Sequence, residues 1–228
     1  MLRVRDWIEV APGLRVTAGG AAWLPEHATA VIADVHLGYA RAARRRGGYL
    51  PPVESPDTVA ARVLALTTRL GTSRLVIAGD LRHSTRDVDT AELADVDAFL
   101  ARLRTALDRL DLIAGNHDRS VSTLGVPAML PEIAIGEVSI THAPPSTAPA
   151  RWTVCGHLHP STTVRDETGA GARFPCAMVG PNIVVLPAFT EWAGGTGAGR
   201  LQRQLPTGHW RRIVTTADAV LPLDPPAP

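Results

Sequence analysis

The chain is 228 residues long, 45% hydrophobic and 20% charged, the size and balance of one globular domain with its own core. The formal net charge is +1, so no global field draws it to nucleic acid or to an anionic membrane. All 23 basic residues are arginine, which excludes a Walker-A lysine, a Schiff-base lysine and a lysine general base. No apolar run approaches membrane-spanning length, and Arg3, Arg5, Asp6 and Glu9 leave no room for a signal-peptide core. Cys155 and Cys176 are too few for a disulfide framework, so a cytoplasmic protein with reduced thiols is expected.

In chain order, His27 to Ala33 reads as a buried strand. Ser55-Pro56 reads as a capped helix start, and that helix runs to Leu70 and stops at Gly71. Arg74 to Ala78 reads as a second strand. Asp89 to Leu107 carries Leu93, Val96, Phe99, Leu100 and Leu103 at helical spacing, and Leu110 to Ala114 reads as a third strand. This order marks a parallel α/β sheet. Six short β segments follow: 132–135, 137–141, 152–155, 162–165, 173–179 and 183–186, with Gly and Pro between them and no helix. They predict a second, mainly antiparallel sheet. Two mixed β-sheets flanked by helices, a four-layer α/β/β/α sandwich, is the simplest architecture. Residues 1–220 form one domain in this reading, and the Pro-rich tail 221–228 frays. The glycine-rich stretch 194–199 reads as a mobile loop.

The ends of the buried-looking segments carry polar residues that a core would not choose. They are Asp34-Val35-His36, Gly79-Asp80, Gly115-Asn116-His117-Asp118, Thr141-His142 and Gly156-His157-Leu158-His159. In open α/β sheets ligands collect at the carboxyl ends of strands. Carboxylate oxygens and imidazole nitrogens together suit manganese, iron or zinc. Asp34 and His36 would share one face of a straight strand, and Asp80 is placed to bridge two metals. Gly79, Gly115 and Gly156 each precede a ligand, where a tight turn is expected. Each block alone is compatible with ordinary hydrogen-bonded polar residues. The ordered series of five points to a metal site.

The series DxH, GD, GNHD, TH and GHxH resembles the calcineurin-like metallophosphoesterases over Asp34 to His159. The resemblance implies one metal held by Asp34, His36, Asp80 and His159, and a second by Asp80, Asn116, His142 and His157. It leaves His117 to meet the phosphate and assist the leaving group, with Asp118 orienting it. Two cations would activate a water for in-line attack on phosphorus. Manganese is expected first, with zinc, iron or cobalt as alternatives.

Finer features resemble the ligase-associated DNA-damage-response endonucleases. These are Asp34-Val-His-Leu-Gly38 with Tyr39 and Arg41, Arg44, Arg45 and Arg46, then Pro51-Pro52, Asp80-Leu-Arg-His83-Ser84 and Leu186-Pro-Ala-Phe-Thr190. That branch implies a DNA substrate, a role in repair, and a DNA ligase and a helicase as partners, with no membrane. Arg45, Arg82, His83 and Arg119 are candidate substrate contacts, each with an ordinary surface or loop role as the alternative. Trp192 fits packing better than base stacking. Two rival functions stand: hydrolysis of cyclic nucleotides or other small phosphodiesters, and a scaffold that keeps the fold without catalysis.

Overall fold

The computed structural model describes residues 5–48, 54–85, 90–118, 129–190, 192 and 195–224. Two sheets pack face to face. The first contains β1 (Trp7–Ala11), β2 (Leu14–Thr17), β3 (Ala22–Leu24), β4 (Thr29–Ile32), β5 (Arg74–Ala78) and β6 (Arg109–Ile113), in that spatial order. β1 to β4 form an antiparallel meander, and β4, β5 and β6 are parallel. Helix α1 (Tyr39–Arg45) follows β4, α2 (Pro56–Leu70) leads into β5, and α3 (Thr90–Arg104) joins β5 to β6.

The second sheet is mixed. Its strands are β7 (Glu132–Ile135), β8 (Val138–Thr141), β9 (Trp152–Cys155), β10 (Pro160–Arg165), β11 (Gly171–Gly180), β12 (Ile183–Val185), β13 (Thr196–Gly197), β14 (Arg211–Thr215) and β15 (Val220–Pro222). The main path runs β13-β10-β11-β12-β9-β8-β7, with β14 on the second half of β11 and β15 on β14. The pairs β8–β9, β9–β12 and β10–β13 are parallel and the other five are antiparallel, so the sheet is mainly antiparallel, as expected.

Alternation along β5 shows how the layers arise. Val76 and Ala78 face Ile140, Val154 and Val184 of the second sheet, while Leu75 and Ile77 face α2 and α3. Helix α2 buries Val59, Ala60, Val63, Leu66 and Leu70 on that outer face, each larger side chain contributing about 1.5–3 kcal/mol. Its bounds follow from its ends. The Ser55 hydroxyl accepts the Thr58 N–H at 3.1 Å, Pro56 opens the first turn, and Gly71 closes it at φ 62°. The outer face of the second sheet carries a thinner layer. The single-turn helix α4 (Ala198–Leu201), Leu205 and Trp210 cover Cys155, Cys176, Met178 and Val185 there.

The structure moves several sequence boundaries. The first parallel strand starts at Thr29, because Pro25–His27 forms a 3₁₀ turn that ends on left-handed Ala28. The tail does not fray from residue 221. Leu221 and Pro222 pair with β14, and the Asp224 carboxylate takes Arg212 at 2.6 and 2.8 Å; residues 225–228 lie outside the described residues. Residues 196–199 are not a mobile loop but belong to β13 and α4. The expected α3 face includes a half-exposed Leu93, and the buried residue of that first turn is Glu92. Among the described residues no helix is long and apolar enough to cross a membrane.

Candidate metal centre

Five strands end at one rim. β4, β5 and β6 deliver Asp34 and His36, Asp80, and Asn116 to Asp118, while β8 and β9 deliver His142, and His157 and His159. Each group of strands is parallel, and the donor atoms that follow them meet from both sheets. Backbone pairing continues past the strands: His36 N–H donates to the Asp80 carbonyl at 2.9 Å, and Gly156 N–H to that of His142 at 2.9 Å.

The ligand residues do not continue straight strands. Asp34, His36, Asp80, His157 and His159 have φ of 55°, 49°, 44°, 69° and 46°. A non-glycine residue in this left-handed region costs roughly 1–2 kcal/mol. The face-sharing expected of Asp34 and His36 is therefore replaced by two consecutive turns of the backbone. The glycines divide into two kinds. Gly79 has φ 83° and supplies a turn. Gly115 and Gly156 have ordinary φ and supply room: a Cβ on Gly115 would overlap the Asp80 carboxylate, and one on Gly156 that of Asp34. A Cβ on Gly79 would overlap the His142 ring as well.

Donor atoms converge in three groups; His36, His83 and His117 form an all-histidine one, and the other two include carboxylates. Asp34, His36, Asp80 and His159 form one, and Asp80, His142 and His157 the other, each with its donor atoms within 4.8 Å of one another. His36 Nε2 lies 3.2 Å from His159 Nε2 and 3.7 Å from Asp80 Oδ2. His159 Nε2 lies 3.5 Å from Asp34 Oδ2. In the second set His142 Nε2 lies 2.9 Å from Asn116 Oδ1, 3.0 Å from His157 Nδ1 and 3.6 Å from Asp80 Oδ1. Ligands bonded to one ion at ~2.1 Å stand roughly 3.0–3.5 Å apart, so these spacings match. Asp80 is common to both sets.

Proton bookkeeping favours a cation. His142 Nδ1 bonds the Ala78 carbonyl at 3.2 Å. A carbonyl has no proton, so Nδ1 carries it and Nε2 presents a lone pair. That lone pair faces two acceptors, Asn116 Oδ1 and Asp80 Oδ1, and His157 Nδ1, which donates to it only in the Nδ1–H tautomer. Asp34 Oδ1 is buried with no hydrogen-bond partner, the mark of a missing positive ligand. Burial, then the neighbouring histidines, pulls His36 down to about 2, so its ring is neutral and fit to coordinate. Burial, then His142, also lowers His157. Burial opposes charge on His159, but its hydrogen bond to the Asp34 carboxylate, with the charges of Asp34 and Asp80, outweighs this and raises the ring. The donor set fits two divalent cations of the manganese, iron, zinc or cobalt type.

The outer residues depart from expectation. His117 N–H donates to Asp80 Oδ1 at 2.9 Å, its Nδ1 donates to the His83 carbonyl, and its Nε2 stands 3.8 Å from Asp80 Oδ2. Asp118 does not orient that ring. Among the described residues its carboxylate accepts the N–H groups of Gly115, Leu81 and Arg82 at 3.0–3.3 Å, locking two loops together. Burial raises the Asp118 carboxyl, with Asp80 adding to the effect against those N–H donors. Arg82 is 1% exposed and so is neither a surface arginine nor an outward substrate contact. His83 is half-buried, its ring 4.6 Å from that of Tyr39 and 5.6 Å from that of His117. Burial, then His117, lowers its ring. Arg45 is exposed on the last turn of α1 beside Arg44 and Arg46. Arg119, Pro51 and Pro52 lie outside the described residues. Phe189 and Thr190 donate their N–H groups to the carbonyls of Ala33 and Asp34 at 2.8 and 3.4 Å, which places that motif beside the first ligand. Trp192 is half-buried and lines a crevice that also holds His36 and Tyr39.

The two-sheet fold and the convergent donor sets fit the metallophosphoesterase sandwich that the sequence resemblance implies. Among solved structures the chain is similar to the Pseudomonas putida nuclease MPE, with 26% identity and a TM-score of 0.69 over 97% of this chain and 100% of that one. It also matches YfcE, a phosphoesterase from E. coli, with 17% identity and a TM-score of 0.45 over 85% of this chain and 96% of that one. No protein-family profile matches the chain, and no curated protein does.

Proposed function

We propose that the protein is a two-metal phosphodiesterase that cleaves DNA. The observation that carries this reading is the pair of donor sets sharing Asp80. Asp34, His36, Asp80 and His159 would hold one cation, and Asp80, Asn116, His142 and His157 the other. When bound, such a pair polarises a phosphoryl oxygen and acidifies a water near neutral pH. The chain supplies the rest. His117, held through Nδ1, turns Nε2 toward the rim, where it takes up a proton and passes it to the departing oxygen. The exposed Arg44, Arg45 and Arg46 follow His36 by one short helix and suit contacts to neighbouring phosphates. Likeness to a nuclease over nearly the whole chain supports a nucleic acid over a small diester, and the sequence resemblance adds DNA. A place in repair beside a ligase and a helicase is the expectation that the sequence resemblance adds.

The test is reconstitution of metal-free protein with manganese, magnesium or zinc, beside His117→Ala and Asp80→Asn. Labelled single- and double-stranded DNA, a cyclic nucleotide and a chromogenic diester serve as substrates. Metal-dependent DNA cleavage lost in both variants is the expected result. Cleavage of the small diesters alone would remove DNA from the reading, and metal binding without any hydrolysis would favour the scaffold.

A further inference from the structure

We propose that Glu92 is a positioning residue that sets the direction and tautomer of His117 through a single peptide plane. This rests on the reading of His117 as the group that faces the departing oxygen.

Glu92 lies in the first turn of α3 and is 2% exposed. Its Oε1 accepts the N–H groups of His83 and Ser84, each at 2.8 Å, and its Oε2 accepts the Ser84 hydroxyl. Gly38 makes room for it: a Cβ there would stand 2.9 Å from Glu92 Cγ and Cδ. The Ser84 N–H and the His83 carbonyl belong to one peptide unit. In a planar trans peptide these two groups point in opposite directions. A carboxylate that pins the N–H on one side therefore aims the carbonyl on the other, and that carbonyl is the acceptor for His117 Nδ1. The carbonyl accepts only from Nδ1–H, so the neutral ring keeps Nε2 as its open nitrogen, turned toward Asp80. Without the carboxylate the Ser84 N–H loses its buried acceptor, while the His83 N–H keeps the Leu37 carbonyl at 2.9 Å, so the plane between them is held at one end only and can turn.

The arrangement makes glutamine the conservative replacement. Its amide oxygen accepts both N–H groups, and its NH₂ donates to the Ser84 hydroxyl. Alanine supplies neither, and leucine fills the space without polarity.

The first measurement is ¹⁵N NMR of the His117 ring in metal-free protein. We expect the Nδ1–H form in wild type and Glu92→Gln, and a mixture of tautomers in Glu92→Ala. Glu92→Leu takes its place if the alanine variant does not fold. The second is kinetic, on metal-loaded protein. Glu92→Ala should lower kcat about tenfold on an alkyl leaving group, with a smaller loss on nitrophenyl and KM within about twofold, because only a poor leaving group needs the proton. In a His117→Ala background the same change should cost nothing further. A pure Nδ1–H ring in Glu92→Ala, equal losses on both leaving groups, or additive losses with His117→Ala would each overturn the proposal. If the wild type hydrolyses no phosphodiester, the reading of the centre fails, while the ring spectrum still decides the role of Glu92.

Discussion

Gly79→Ala separates strain from collision at the centre. Gly79 has φ 83°, and a Cβ there would overlap the His142 ring. Gly169, in the exposed β10–β11 turn, has φ 87° and no atom within 4 Å of a Cβ. Gly169→Ala therefore measures the conformational cost alone, about 1 kcal/mol. Gly79→Ala adds the displacement of a packed ring, roughly 1–3 kcal/mol, and reaches about 3 kcal/mol in all. At 2–4 °C per kcal/mol for a chain of this size, the expected losses in Tm are roughly 3 °C for Gly169→Ala and 6–12 °C for Gly79→Ala. Moving His142 also breaks its bond to the Ala78 carbonyl and turns Nε2 away from Asn116 and Asp80. Calorimetry on metal-free protein gives the first quantity. Metal content by mass spectrometry gives the second, expected to fall from two ions to one in Gly79→Ala and to stay unchanged in Gly169→Ala. Equal melting shifts in the two variants, or two ions retained in Gly79→Ala, would refute the steric argument.

Other outcomes follow from the same structure. Ser55→Ala removes the α2 cap and should cost about 1 kcal/mol, seen as a fall of roughly 2–4 °C in Tm with metal content unchanged. The Arg212 guanidinium holds the Asp224 carboxyl below the usual carboxylate range. A lowered folded pKa contributes stability above the unfolded value of about 3.9, and that stability is lost as pH falls through the folded value. Urea titrations should thus show Asp224→Asn less stable than wild type at pH 6, with the gap closing below about pH 4. Asp118→Asn should leave one of its three backbone donors facing an amide NH₂ and lower Tm by several degrees, as a fold-locking residue would. Unchanged stability with lost activity would instead return Asp118 to a role on His117.

The legible parts of the sequence were those with local causes. Ser55, Pro56 and Gly71 bound α2 through capping and backbone freedom, and Arg74 to Ala78 alternates between two cores along its length. The seven donor residues were legible because Asp, Asn and His at successive strand ends have no use in a core. Their backbone was not legible, since nothing local predicts five left-handed residues; they persist because hydrogen bonds across loops overrule the local preference. The meander β1–β3 was missed because each strand is five residues or shorter and pairs only through turns. Glu92 was invisible for another reason. A glutamate in a first helical turn reads as a dipole partner facing solvent, and only the fold brings the His83–Ser84 peptide to it. Arg82 likewise reads as a surface cation until the loops close over it.

The hydrogen bond from His157 N–H to Asp34 Oδ2 joins residues 123 apart in the chain. Asp34, Asp80 and Asn116 come together through successive β–α–β closures, each of a few dozen residues. The bond to His157 must wait until β8 and β9 have been made and docked, and it carries the larger loop-closure entropy. An order of assembly follows. A chain synthesised only to residue 140 holds Asp34, His36, Asp80 and Asn116 but completes neither carboxylate-containing donor set, because each takes at least one histidine from beyond residue 140. Maturation of the centre is therefore tied to the final docking of the two sheets, and a nascent or unfolded chain carries no competent centre to act on whatever it meets.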